Sequence, residues 1–311
     1  MLELILPLFL LVLFILFLFF IWRINARKYI SSVTVASAYD AWTQDKLLER
    51  LWGEHIHLGF YPLGSNNTDF RKAKIQFVHE LVKWSGLDKL PKGSRVLDVG
   101  CGIGGSSRIL AKYYGFNVTG ITISPAQVKR ARELTPSKLS CNFQVMDALD
   151  LKFEDGSFDA IWSVEAGAHM NDKTRFADEM LRTLRPGGYL ALADWNSRDL
   201  NAYPPSFIER LVLKQLLEQW VHPNFISINE FNNILKTNKN SAGRVISENW
   251  NFYTNPSWYD SIIEGIRRPF AILSLGPFAI IKSIREIPTI ILMNWAFRKG
   301  LMEFGVYKCR G

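Results

Sequence analysis

Two groups of residues in this chain have types and spacing that suit chemistry. The first is Val96-Leu97-Asp98-Val99-Gly100-Cys101-Gly102-Ile103-Gly104-Gly105, an apolar run that breaks into closely spaced glycines. Such glycines let the backbone turn at positive φ and let a ligand lie against the main chain. Asp98 stands two residues ahead of the first glycine, whereas a dinucleotide turn carries G-x-G-x-x-G with its acid about twenty residues downstream. The second group gathers acids and bases. Trp52-Gly53-Glu54-His55-Ile56-His57-Leu58-Gly59 holds Glu54 and His57 between glycines, and Trp162-Ser163-Val164-Glu165-Ala166-Gly167-Ala168-His169 holds Glu165 and His169. Carboxylates and imidazoles are the usual proton acceptors near neutral pH. His-x-His with a nearby Glu is also a metal-ligand pattern, but no third ligand set at a supporting spacing accompanies it, and no metal is assigned.

These residues need elements to hold them. Strand signals at 95–99, 117–121, 143–146, 158–164 and 189–194 alternate with helical stretches at 106–114, 125–135 and 173–184. That alternation predicts a doubly wound α/β sheet with ligands at the carboxyl ends of its parallel strands. A helix is also expected over 69–84. Beyond Trp195 long apolar-basic helices are expected at 205–220 and 258–281. Strands at 244–253 and 301–308 would form a last antiparallel pair, with the helices between them as insertions over the site. Ser124-Pro125 reads as an N-cap with proline at the first helical position. His169 has a bland reading too, as the cap of a helix starting near Asn171.

The chain has 311 residues and a net charge of +8. Residues 4–21 are uncharged and almost wholly Leu, Ile and Phe, long enough to cross a bilayer as a helix. Arg23, Arg27 and Lys28 follow the run, so an uncleaved anchor is expected with the rest of the chain on the cytoplasmic side. The same basic residues suit anionic lipid headgroups. Elsewhere basic residues are dispersed, unlike the stripe of a nucleic-acid binder. The organisation expected is an anchor with its basic flank over 1–28, a helical cover over 29–92, an α/β core over 93–200, and cover helices with the final strands over 201–311. Cys101, Cys141 and Cys309 suggest neither a metal site nor a disulfide framework.

The order strand, Asp98, glycine turn resembles motif I of S-adenosylmethionine-dependent methyltransferases, which implies a Rossmann-like class I fold. In that family the turn cradles the amino-acid end of the cofactor. Most members place an acid at the end of the second strand for the ribose. Thr122, in Gly120-Ile121-Thr122-Ile123-Ser124-Pro125-Ala126-Gln127, departs from this, and Thr122 with Gln127 offers two polar groups instead. Asp147 and Ala148, closing the third strand, match the adenine contacts, and the segments 153–159 and 184–190 match the remaining motifs. Tyr39, in Ala38-Tyr39-Asp40-Ala41-Trp42, resembles a tyrosine that closes over the cofactor. The runs 39–61, 96–136, 162–170 and 286–292 together resemble the tocopherol methyltransferase family.

That resemblance implies C-methylation of a prenylated benzoquinol, in tocopherol and plastoquinone synthesis, at a photosynthetic prokaryote's thylakoid or plasma membrane. It implies cofactor contacts from Asp98, Gly100, Cys101, Gly102, Gly104, Thr122, Gln127, Asp147, Ala148 and Ser163. His169, Glu165, His57, Glu54 and Tyr39 would serve the quinol. Three rivals stand beside it: a γ-tocopherol or sterol-type C-methyltransferase, a nicotinamide-dependent quinone oxidoreductase, and a non-catalytic membrane-bound scaffold.

Overall fold

Short runs of Val, Leu and Ile between glycines and charged residues form strands here because both faces of a central strand are covered and β-branched side chains pack well there. The computed structural model describes residues 2–24, 26–63, 69–241 and 244–311. The chain begins with helices α1 (Leu2–Ile24), α2 (Ser32–Gln44), α3 (Leu47–Trp52) and α4 (Phe70–Ser85). The α/β core follows as β1 (Arg95–Val99), α5 (Gly105–Tyr114), β2 (Asn117–Thr122), α6 (Pro125–Leu134), β3 (Cys141–Val145), β4 (Phe158–Val164), α7 (Lys173–Thr183) and β5 (Leu184–Ser197). The last third holds α8 (Phe207–Gln219), α9 (Ile228–Thr237), β6 (Ile246–Asn249), α10 (Asn251–Thr254), α11 (Pro256–Arg267), α12 (Pro269–Leu273), α13 (Pro277–Arg298) and β7 (Met302–Arg310).

The strand order is β3-β2-β1-β4-β5-β7-β6. The first five strands are parallel and β7 runs antiparallel to both β5 and β6. The order reverses between β1 and β4, so their carboxyl ends open the crevice where such sheets bind ligands. Local signals place the helices. Asp69 caps α4 by accepting from the N–H groups of Arg71 and Lys72, and Gly86 ends it with φ of 82°. Ser124 caps α6 by accepting from Gln127 N at 3.1 Å. Asp172, not His169, caps α7, by accepting from Arg175 N at 2.8 Å.

Three expectations are corrected. Among the described residues no helix is long and apolar enough to cross a membrane. The spanning anchor at 4–21, and with it the single-pass topology with a cytoplasmic catalytic domain, is therefore not supported. The physical reason lies in the ends of α1. Pro7 lies within its first turns and has no N–H to donate, and its last turn is committed to the protein body. Trp22 is only 3% exposed and donates from Nε1 to Thr289 Oγ1 at 3.0 Å. The supposed basic flank is likewise paired internally, Arg23 with Glu218 at 2.8 Å and Arg27 with Glu286 at 2.7 Å.

The helix expected over 258–281 is three helices, because Pro269 and Pro277 each start a new one and neither can donate a backbone bond. The strand expected over 244–253 shrinks to Ile246–Asn249, since Asn251 begins a helical turn that packs beside β7.

Candidate active site

The glycine turn forms where β1 ends. Gly100 and Gly102 have φ of 78° and 54°, which non-glycine residues rarely adopt. The N–H groups of Gly100 and Cys101 both donate to Ile121 O at 2.9 Å, which ties the turn to β2. A Cβ on Gly100 would lie 2.3 Å from Ala166 Cβ, so that glycine is needed for packing. A Cβ on Gly102 would meet nothing nearer than the Gln127 amide at 3.9 Å, and Gly102 lines the principal cavity. Asp98 is 2% exposed and accepts from Ser107 Oγ at 2.5 Å. Burial raises its pKa to about 7.

That cavity, about 470 Å³, runs from the turn to the isoleucines of α13. Asp98, Gly100, Cys101, Thr122, Gln127, Asp147 and Ala148 line its near end. Thr122 Oγ1 donates to Gln127 Oε1 at 2.6 Å, so the pair forms one polar edge. Gly104 and Ser163 are not among the lining residues. Gly104 faces Phe143, and Ser163 is spent on a bond from its hydroxyl to Val99 O at 2.8 Å. The near end therefore suits a ligand with ribose-like hydroxyls and an adenine-like ring edge, laid on an open stretch of main chain.

The middle of the cavity carries ionisable and hydroxyl side chains. Asp40 Oδ1 accepts from Ser124 Oγ at 2.5 Å and from Ala126 N at 3.1 Å, which pins α2 to the N-terminus of α6. A carboxylate is favoured there by the helix dipole. The neighbouring Tyr39 is thereby held over the site, with its hydroxyl 2.8 Å from His169 Nε2. His169 Nδ1 faces Val221 O at 3.3 Å. A carbonyl only accepts, so Nδ1 carries the proton and Nε2 accepts from Tyr39. Burial pushes the His169 pKa down to about 4, and burial, with Glu165 and Asp194 nearby, pushes the Tyr39 hydroxyl up.

Glu165 sits at the end of β4 with φ of 54°, an uncommon conformation for a residue with a Cβ. Its Oε1 accepts from Leu58 N at 2.6 Å, joining the N-terminal cover to the sheet. Burial raises its pKa to about 8, and the nearby Asp194 adds to that. Asp194 is itself raised to about 6 by burial. Lys173 holds the turn between Glu165 and Met170 by donating to Gly167 O at 2.7 Å and Met170 O at 2.8 Å.

Tyr39, Glu165 and His169 thus converge, while two expected partners do not join them in kind. The carboxylate of Glu54 is occupied by Arg108, at 2.7 Å from Nη2 and 3.1 Å from Nε. His57 donates from Nδ1 to Leu58 O at 2.8 Å, and its Nε2 faces His55 Nδ1 at 3.1 Å. Burial lowers its pKa to about 3. Both line the cavity, but His57 has both ring nitrogens engaged and Glu54 has its Oε2 held by Arg108.

Residues 97–192 match a family described as a methyltransferase domain. The chain is 55% identical to Synechocystis 2-methyl-6-phytyl-1,4-hydroquinone methyltransferase over 93% of its own length and 91% of that protein. It is 34% identical to the Arabidopsis thaliana chloroplastic tocopherol O-methyltransferase over 85% of this chain and 78% of that one. The chain belongs to the tocopherol methyltransferase family. In fold it is similar to a putative sarcosine dimethylglycine methyltransferase from Galdieria sulphuraria, with a TM-score of 0.70 at 21% identity, covering 86% of this chain and 97% of that one.

As a tocopherol-family methyltransferase the protein uses S-adenosylmethionine as its methyl donor. The open face of Gly102 and the polar edge of Thr122 and Gln127 fit that molecule. Sequence reasoning missed Asp40, Lys173, Asp194, Trp195 and His222. Asp40 adjoins Tyr39 and was within reach of inspection; His222 belongs to no motif and is brought to the cavity by the chain beyond α8.

Proposed function

We propose that this methyltransferase transfers the methyl group to a ring carbon of a prenylated quinol, of the 2-methyl-6-phytyl- or 2-methyl-6-solanyl-benzoquinol class. The observation that carries the reading is the composition of one cavity. Its near end is polar and fits the donor, its middle holds Tyr39, His169 and Glu165, and its far end is lined by Ile280, Ile284, Ile287 and Ile290 of α13, with Lys282, Ser283 and Glu286 of the same helix among them. An isoprenoid tail is matched by those isoleucines, and an aromatic hydroxyl by the middle. The relative named for a phytyl hydroquinone supports the same substrate class. Roles in tocopherol and plastoquinone synthesis follow from that substrate.

S-adenosylmethionine supplies an electrophilic methyl group on a sulfonium. The residues of this chain supply the rest. A ring carbon becomes nucleophilic when a hydroxyl gives up its proton, because phenolate charge spreads to the ortho and para positions. Glu165, with a pKa of about 8, is the group matched to accepting that proton near neutrality. His169, at about 4, is a weak base that serves as a hydrogen-bond acceptor, with Tyr39 fixing its ring. The ring hydrogen on the methylated carbon leaves last, as a proton released to solvent, while the ring oxygen recovers the first proton from Glu165 and aromaticity returns. Residues of α2 and α13 wall the cavity in which the two substrates would be brought into register, which itself accelerates the reaction. Exposed apolar side chains on α12 and α13, Phe270 and Phe278 among them, suit a lipid surface that holds such a substrate.

The test is incubation of the purified protein with methyl-labelled S-adenosylmethionine and a panel of prenylated quinols, γ-tocopherol and a sterol. Label on the ring carbon of the quinol is expected. Transfer to γ-tocopherol or to the sterol, with none to the quinols, would overturn the reading.

A further inference from the structure

Two buried polar atoms on the cavity wall have no work to do in that mechanism. Trp195 in β5 and His222 after α8 both line the cavity, with ring centroids 5.3 Å apart. Trp195 Nε1 and His222 Nε2 are each buried without a hydrogen-bond partner. Unpartnered polar atoms are uncommon in native interiors, and each asks for an explanation. The indole N–H is a donor only. His222 Nδ1 faces Ala168 O at 3.4 Å, so the proton lies on Nδ1 and Nε2 presents a lone pair.

The donor and the acceptor belong to neighbouring rings that both line the cavity, and together they have the polarity that a hydroxyl group complements. The ring of His222 is held rigidly for the purpose. It stacks on His169 with centroids 4.3 Å apart and an interplanar angle of 18°, and it packs against Phe225. The preceding Val221 has φ of 59°, a conformation that β-branched residues avoid, and its carbonyl orients His169. The indole N–H also lies near enough to Glu165 to favour its ionised form without completing a bond.

We propose that Trp195 and His222 form a hydroxyl-binding site beside Glu165, in which a ring hydroxyl of the acceptor donates to His222 Nε2 and accepts from Trp195 Nε1. This rests on the quinol reading above and adds a specificity to it. An oxidised quinone offers only carbonyl lone pairs to His222 Nε2, so the site favours the reduced ring.

The experiment measures binding of a short-tailed prenyl quinol, kept reduced anaerobically, and of its quinone, to the enzyme loaded with S-adenosylhomocysteine. Wild type is expected to bind the quinol at least about 10-fold more tightly than the quinone, the size of effect that follows from leaving a buried acceptor unpaired. His222→Phe keeps the stacked ring and removes the acceptor, so the preference should fall to about 2-fold or less while S-adenosylhomocysteine affinity holds and Tm falls only by the lost bond from Nδ1 to Ala168 O. Trp195→Phe removes the donor and carries the same readout should the first variant fail to fold. Equal affinity of wild type for the two forms overturns the proposal, as does an unchanged preference in a folded variant. If wild type methylates a quinol but either of those results appears, only the hydroxyl site falls. If it neither binds nor methylates any prenylated quinol, the quinol reading falls and the site with it.

Discussion

Gly100→Ala and Gly102→Val, two positions apart, separate packing from ligand contact. At Gly100 a new Cβ would stand 2.3 Å from Ala166 Cβ. Carbon atoms pack best at about 3.5–4.0 Å, so something must move by more than about 1 Å. Ala166 follows Glu165, already held at positive φ, and has little freedom to give. Overpacking costs about 1–3 kcal/mol and a left-handed backbone a further 1–2. Gly100→Ala should therefore lose stability by about 2–5 kcal/mol. At Gly102 nothing lies nearer to a Cβ than 3.9 Å. Backbone strain alone, about 1–2 kcal/mol, should appear in its Tm, because the added carbons project into the cavity. Those carbons should instead weaken S-adenosylhomocysteine binding by at least about tenfold, or about 1.4 kcal/mol. Thermal unfolding and titration calorimetry on the same preparations check both. A folded Gly102→Val protein that binds S-adenosylhomocysteine with wild-type affinity would refute the cradle; an unchanged Tm in Gly100→Ala would refute the packing argument.

Glu165 has a folded-state pKa of about 8, above its ordinary value of 4.5, so the folded protein holds this proton more tightly than the unfolded chain. Its contribution is complete below the ordinary value and is lost as pH rises through 8, so the stability of Glu165→Gln relative to wild type should rise by about a few kcal/mol across that window, with Tm following. Parallel Tm curves would show that Glu165 does not carry the shift. His169→Ala should lower kcat and kcat/KM together, by about ten- to a hundredfold if the imidazole orients rather than deprotonates the ring, with Glu165→Gln costing more, about 10²–10⁴. The reverse ranking in steady-state kinetics would return the base role to His169. Trp22→Phe should lower Tm by the equivalent of about 1 kcal/mol, since it leaves the buried Thr289 hydroxyl without its donor; an unchanged melting curve would mean the end of α1 is not docked.

Much of the core was legible because its signals are local. The expected strand over 158–164 and β4 coincide, and β1 coincides with 95–99. Both are short apolar runs closed by glycine or charge. Helices α4, α6 and α7 fall within two residues of their expected limits because Asp69 and Gly86, Ser124, and Asp172 respectively mark their ends chemically. The failures share a cause. Over 258–281 the apolar period was read through Pro269 and Pro277, whose missing N–H groups break the helix whatever the pattern. Over 4–21 apolar length was read without knowing that Trp22 and Arg23 would find partners in α13 and α8.

The strand-turn-helix units, the glycine turn and the segments that reach the cavity were written in the chain, because backbone preferences act between neighbours. The surroundings of each side chain came from the assembled fold. Glu54 Oε2 is held by Arg108, a residue 54 positions away. Burial drove Glu165 and His169 in opposite directions, to about 8 and about 4. Low-dielectric surroundings disfavour whichever form is charged, so an acid and a base diverge in one pocket. His222 became a site residue only when the fold stacked it on His169, leaving one nitrogen committed to Ala168 and the other unpaired. Proton affinities and open hydrogen-bond positions belong to the assembled surroundings, and those are made by residues far apart in the chain.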